Sequence, residues 1–170
     1  VEAVRREGDA ALVRFARLFD RAEISETSIA ATAADFAKAR AEIDAALATA
    51  IAFAAANIRT FHEAQKPAAA RWHEVRPGVR AGELTLPIPS VACYVPRGKG
   101  AFPSSVLMTC IPAKVAGVAD ICIVTPPGPA WPGGTIDGGD RSAGPVVEAA
   151  EALEDGRATA ADGGDRVEVF

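Results

Sequence analysis

Residues 90–127 read SVACYVPRGKGAFPSSVLMTCIPAKVAGVADICIVTPP. They divide into a strand, a glycine-rich loop, a helix and a second strand. Val91–Val95 is apolar on both faces, the pattern of a parallel strand covered on both sides. Pro96-Arg97-Gly98-Lys99-Gly100 forms the loop. Ser104 or Ser105 is placed to cap the helix that follows. Val106, Leu107, Cys110, Ile111 and Val115 make that helix's buried face. Pro112 lies inside the pattern and predicts a kink, and Gly117 is a C-terminal stop. Ile121–Val124 is the second buried strand, closed by Pro126-Pro127. Two parallel strands joined this way take a right-handed crossover.

Upstream, the periodicity is helical. Val4, Ala11, Leu12, Phe15 and Leu18 or Phe19 recur at helix spacing over 2–19, interrupted at Gly8-Asp9. Asp20–Thr27 is polar and reads as a loop. From Ala33 to Lys66, Phe36, Ile43, Leu47, Ile51 or Ala50, Ala54, Ile58 and Phe61 fall on one face. Alanines between them favour helix, and Pro67 ends it. The two stretches predict an N-terminal helical hairpin over 1–67. Between Arg71 and Val91, Trp72, Val75, Val79, Leu84, Leu86 and Ile88 alternate with polar residues. Pro77-Gly78 is a turn signal, so a β-hairpin is expected there.

Residues 128–170 differ from the rest. They hold nine acids against Arg141, Arg157 and Arg166, a net charge of −6 within a chain whose total is −4. Large aliphatics are sparse and glycines concentrated. An irregular acidic tail of weak order is expected, with a short helix over 145–154 started by Pro145. At 170 residues, 49% of them hydrophobic, the chain fits one globular domain with an appendage. No apolar run approaches the roughly 18 residues of a membrane span. The first residues lack an apolar signal core, so a cytoplasmic location is the expectation. No concentrated basic face suggests nucleic acid.

Cys93, Cys110 and Cys122 are odd in number and share no CxxC spacing, which predicts buried reduced thiols. His62 and His73 lack patterned companions, and neither is expected to hold a metal. The acidic pairs Glu154-Asp155 and Asp162/Asp165 read as solvated charge. The local chemistry lies at the loop. Open α/β sheets bind ligands at the carboxyl ends of their strands. Backbone N–H groups near Gly98 and Gly100, with Arg97 and Lys99, would face an anion. Tyr94 at the strand end adds a flat ring and a hydroxyl. There is no GxGxxG and no GxxxxGK[ST]. By these residues alone, a nucleotide-receiving loop and a structural turn stand equal.

The segments YVPRGKGAFPSSVLM (94–108), IPAKVAGV (111–118) and IVTPPGP (123–129) resemble the signature region of histidinol dehydrogenases. VRREGDAAL (4–12), LFD (18–20) and WHEVRPGVRAGE (72–83) agree with that family in the same order. The resemblance covers about residues 1–129. It implies an α/β chain in which the helical hairpin precedes a Rossmann-like βαβ unit, part of a nucleotide-binding domain. It implies oxidation of L-histidinol to L-histidine in histidine biosynthesis. That reaction uses two NAD in succession, a zinc ion on the substrate and a Glu-His pair for proton transfer, in an intertwined homodimer. Tyr94 matches the family's NAD-contacting tyrosine. With Gly98 and Lys99 from the loop, it makes the expected cofactor site.

The match fails after residue 129. WPGGTIDGGDRSAGPVVEAAEALEDGRATAADGGDRVEVF (131–170) contains no GGAQ segment and no histidine. The family's zinc ligands and Glu-His pair therefore have no counterpart, and no catalytic or metal residue is assigned. The resemblance thus predicts an N-terminal fragment with a foreign tail, inactive by itself. A non-catalytic nucleotide-binding or interaction module, self-associating through an open sheet edge, and a related dehydrogenase of another alcohol are the alternatives.

Overall fold

The computed structural model describes residues 1–96 and 102–126, together with the backbone of 166–169. Its elements are helices α1 (Glu2–Glu7), α2 (Asp9–Phe15), α3 (Ala33–Glu42) and α4 (Ala45–Gln65), strands β1 (Ala70–Arg76), β2 (Val79–Leu84) and β3 (Ser90–Tyr94), helix α5 (Pro103–Ala116), and strands β4 (Asp120–Thr125) and β5 (Arg166–Val169). The α/β class read from the sequence holds. Strands β1 and β2 form an antiparallel hairpin, and β3-β4-β5 form a separate parallel sheet.

The core forms where β3, α5 and β4 meet. Cys93, Val95, Val106, Leu107, Cys110, Ile111, Ile121 and Ile123 are buried together. Burying each of the large aliphatic side chains contributes about 1.5–3 kcal/mol, so this cluster is the main source of stability among the described residues. Every residue assigned to the buried face of α5 lies in or against it. The helix passes through Pro112 and ends at Gly117, which takes φ 91°. The Val118 N–H reaches the Ala113 carbonyl at 3.1 Å, closing the last turn around a left-handed glycine. The start differs from expectation. Helix α5 begins one residue before the serines, with Pro103 at its first position and no side-chain cap. Proline fits there because its missing N–H would be unpaired in any case. Ser104 and Ser105 lie inside the first turn.

The long helix expected over 33–66 is two helices meeting at a bend of 114°. Ile43 is extended at the break, and the Asp44 side chain accepts the Ala46 N–H at 2.7 Å. This aspartate satisfies a donor at the start of α4 that would otherwise be orphaned, so chain direction changes at low cost. At the start of α3, the Thr32 side chain accepts from the Asp35 N–H while Asp35 accepts from the Thr32 N–H. That reciprocal pair is a capping box. Ile51 and Ala55 of α4 join the core, with Phe36, Ala54 and Ile58 against it. Leu47 and Phe61, expected on the same face, are exposed.

The helical N-terminal region does not close as one hairpin. Helix α4 packs on α5, whereas Ala16, Ala22, Ile24 and Ile29 form a second cluster with Leu12 and Val13. Gly8, at φ 58°, separates α1 from α2. A π-helical turn over Ala16–Asp20 follows α2 and ends at Arg21, φ 55°. A π turn holds more residues than an α turn, which rotates Leu18 and Phe19 off the face that α spacing predicts. Both are exposed, and Phe19 stacks on Phe15 at 5.8 Å.

Two further readings are corrected. Val91–Val95 is not covered on both faces: Cys93 and Val95 are buried against α5, whereas Ala92 and Tyr94 are exposed. The acidic tail is not irregular throughout, because Arg166–Val169 pairs in parallel with β4 from Cys122 to Thr125. Residues 145–154, expected as a helix, and Pro127 lie outside the described residues. No single described helix is long and apolar enough to cross a membrane. The bent α3–α4 pair passes the same test of length and composition.

Candidate cofactor site

The site is built from the carboxyl edge of the parallel sheet. Strand β3 ends at Tyr94, opposite Val124 of β4. The Val95 N–H donates to the Val124 carbonyl at 2.7 Å, holding the two strand ends in register. Side chains alternate across a strand. Because Cys93 and Val95 enter the core, Tyr94 projects from the sheet face opposite α5. Tyr94 is 60% exposed, so a flat aromatic ring carrying a phenolic hydroxyl is accessible at the strand end.

The chain re-emerges at Phe102, 41% exposed, and enters α5 immediately. The first turn of α5 has no side-chain cap. Pro103 has no N–H and the Ser105 N–H donates to the Phe102 carbonyl at 3.0 Å, so the helix start offers its positive dipole end more than free donors. Phe102 brings a second aromatic to this edge that the sequence reading did not single out. Its position between the glycine-lysine run and a helix-starting proline was the available signal. Gly98 and Lys99, the other two expected cofactor residues, and Arg97 lie outside the described residues.

The cysteines do not make a reactive site. None of the three forms a disulfide; Cys93 and Cys110 are buried, and Cys122 is half-buried rather than buried as expected. Cys110 lies beside the Thr109 hydroxyl, at 3.6 Å. The histidines occupy different elements, His62 on α4 edge-on to Phe61 and His73 on β1. Among the described residues, no three His, Cys, Asp or Glu side chains gather to hold a metal ion.

The profile of the family described as histidinol dehydrogenase matches residues 1–138. The chain belongs to the histidinol dehydrogenase family. A relative from Rhizobium meliloti (strain 1021), named histidinol dehydrogenase homolog, is 53% identical over 129 residues, covering 76% of this chain and 28% of its own length. One from Synechocystis sp., named histidinol dehydrogenase, is 44% identical over 127 residues, covering 75% of this chain and 29% of its own. The crystal structure of histidinol dehydrogenase from Elizabethkingia anophelis superposes with a TM-score of 0.79 at 28% identity. That superposition covers 98% of this chain and 34% of that one. The chain thus spans about a third or less of the length of the histidinol dehydrogenases it matches.

Proposed function

We propose that this chain supplies the cofactor side of an NAD-dependent dehydrogenase that oxidises L-histidinol to L-histidine in histidine biosynthesis. Tyr94, Gly98 and Lys99 contact the dinucleotide. The enzyme acts as a cytoplasmic homodimer. The observation that carries the reading is Tyr94: an exposed aromatic at the carboxyl end of a parallel strand, in a chain of this family. Ligands of open α/β sheets sit at that edge. The Tyr94 ring offers a stacking surface, the start of α5 favours a pyrophosphate, and Lys99 adds positive charge. When bound, NAD accepts hydride from the alcohol carbon.

The family's zinc is different. His62 and His73 sit on different elements, and the described residues form no ligand cluster, so they do not fit a zinc site. We infer that the 170 residues bind NAD without turnover. Titration calorimetry tests the first half: Tyr94→Ala weakens NAD binding about tenfold, the loss of one aromatic contact of about 1.4 kcal/mol. Equal affinity of the wild type and this variant rejects Tyr94 as a contact. Sustained NADH formation from histidinol by the 170-residue chain, with zinc present, rejects the second half.

One observation favours a neighbouring substrate. Four relatives named histidinol dehydrogenase homolog are 45–53% identical to this chain. Four named histidinol dehydrogenase are 42–44% identical. A second reading is therefore a dehydrogenase of another small alcohol. Comparing kcat/KM for histidinol with a panel of amino alcohols and diols, on this sequence extended to the length of its relatives, separates the two.

A further inference from the structure

We propose that the Thr125 hydroxyl holds the 2′-hydroxyl of the adenosine ribose of NAD. This rests on the cofactor reading above and adds to it a second contact, on the strand next to that of Tyr94.

Thr125 is the last residue of β4, one step beyond Val124, which stands opposite Tyr94. It therefore reaches the same carboxyl edge. Side chains alternate across a strand. Thr125 thus shares the face of Ile121 and Ile123, which are buried in the core with α5, whereas Tyr94 projects from the opposite face. The two residues lie on adjacent strands about 5 Å apart and on opposite faces of one edge. A ligand that touches both has to cross that edge, as an extended dinucleotide does and a single small anion does not.

The order of elements decides which part of the dinucleotide Thr125 meets. In a strand–helix–strand nucleotide unit, the turn after the first strand and the start of the helix take the pyrophosphate. The end of the second strand takes the ribose 2′-hydroxyl, commonly with an acid. Here β3, α5 and β4 are those three elements, and the second strand ends in Thr125-Pro126. The one acid of β3 and β4, Asp120, lies at the other end of β4, roughly 16 Å away along the strand. On β5, Glu168 stands opposite Val124, one register step from Thr125.

The Thr125 hydroxyl is uncommitted. Thr49, Thr60 and Thr109 donate their hydroxyls to carbonyls one turn back in their own helices. A strand offers no such carbonyl, and Thr125 makes no side-chain hydrogen bond among the described residues. The residue is half-buried, so a hydrogen bond made there is partly shielded from competing water. A hydroxyl both donates and accepts, which lets it pair with a ribose hydroxyl in either sense.

Titration calorimetry of the 170-residue chain with NAD and with its 2′-deoxyadenosine analogue tests the contact. The wild type is expected to bind the analogue about threefold to tenfold more weakly than NAD, the loss of one neutral hydrogen bond. Thr125→Val keeps the side-chain shape and removes the hydroxyl. It is expected to weaken NAD binding by the same factor and to leave the analogue's affinity unchanged, so that the two losses do not add. Thr125→Ser is expected to restore NAD binding. Circular dichroism matching the wild type shows that each variant is folded. Equal affinity of the wild type for NAD and the analogue overturns the proposal, whatever the variants do. So does a Thr125→Val penalty as large for the analogue as for NAD, which would mark a structural role. A loss in Glu168→Gln with none in Thr125→Val also overturns it and moves the contact to β5. If these tests fail while Tyr94→Ala still weakens NAD binding, the cofactor reading stands without Thr125. A wild type that binds no NAD overturns both.

Discussion

The β3–α5–β4 unit and the β1–β2 hairpin lie next to each other in the chain and differ in burial. In the first, Ile121 and Ile123 are sealed against α5. In the second, every residue of both strands is exposed, Trp72, Val75 and Leu84 included. The hairpin strands are the more polar, carrying Arg71, Glu74, Arg76, Arg80 and Glu83 where β3 and β4 carry Asp120 alone. The covering layer differs as well. Helix α5 follows β3 directly and folds back over it, with α4 behind. The hairpin has no such layer among the described residues. It is organised instead by its own ladder, by Gly78 at φ 76° in the turn, and by Trp72. The Trp72 indole lies over Gly82, where an added Cβ would approach it to 2.5 Å. The Arg80 guanidinium sits 5.9 Å from the same ring. Isolated two-stranded hairpins are marginal in water, so this element takes its shape from local contacts and contributes little to the whole.

Truncating one side chain in each region should separate them most sharply. Ile123→Ala, at a fully buried position, is expected to cost about 3–4 kcal/mol, read as a lowered denaturation midpoint. A loss below about 1 kcal/mol would mean that the parallel unit is not the stabilising core. Gly82→Ala comes next. Its Cβ would meet the Arg71 carbonyl at 2.4 Å as well as the indole, so strand spacing must change. About 2 kcal/mol of local strain is expected, seen as a change in the near-ultraviolet signal of Trp72 while the global transition moves little. Loss of cooperative unfolding in that variant would show that the hairpin and the core are coupled.

The smaller effects sharpen the same contrast. Asp44→Ala removes the cap that starts α4, the helix behind the core, and should lower stability by about 1 kcal/mol. Asp44→Asn should recover most of it, since either side chain caps. Leu84→Ala in the hairpin is expected to change stability by less than about 0.5 kcal/mol, because the side chain is already in water. A cost comparable to that of Ile123→Ala would show that Leu84 is buried in solution.

Much of the parallel unit was legible in its residues. The buried face of α5, its end at Gly117 and the two strands follow from apolar spacing and from one glycine's conformational freedom. The hairpin was legible in Pro77-Gly78 for a similar local reason. The break at Ile43-Asp44 was missed because alanine-rich spacing runs through it unchanged, and the cap is visible only once the helix direction is known. The faces of Leu18 and Phe19 were missed because they depend on a π turn that hydrophobic periodicity does not reveal. At the candidate site, Tyr94 and its place at the strand end were readable. Its orientation away from α5 was not, because a run of apolar residues conceals which face is covered.

The sequence by itself determined the local elements, the βαβ order and the family signature. These depend on spacing, turn residues and short motifs that act within a few positions. Only the tertiary structure decided that α4 packs on α5, that β5 joins β4, and that, among the described residues, one face of β3 has no covering layer. Those outcomes depend on which surfaces meet across tens of residues, and on which remain without a neighbour.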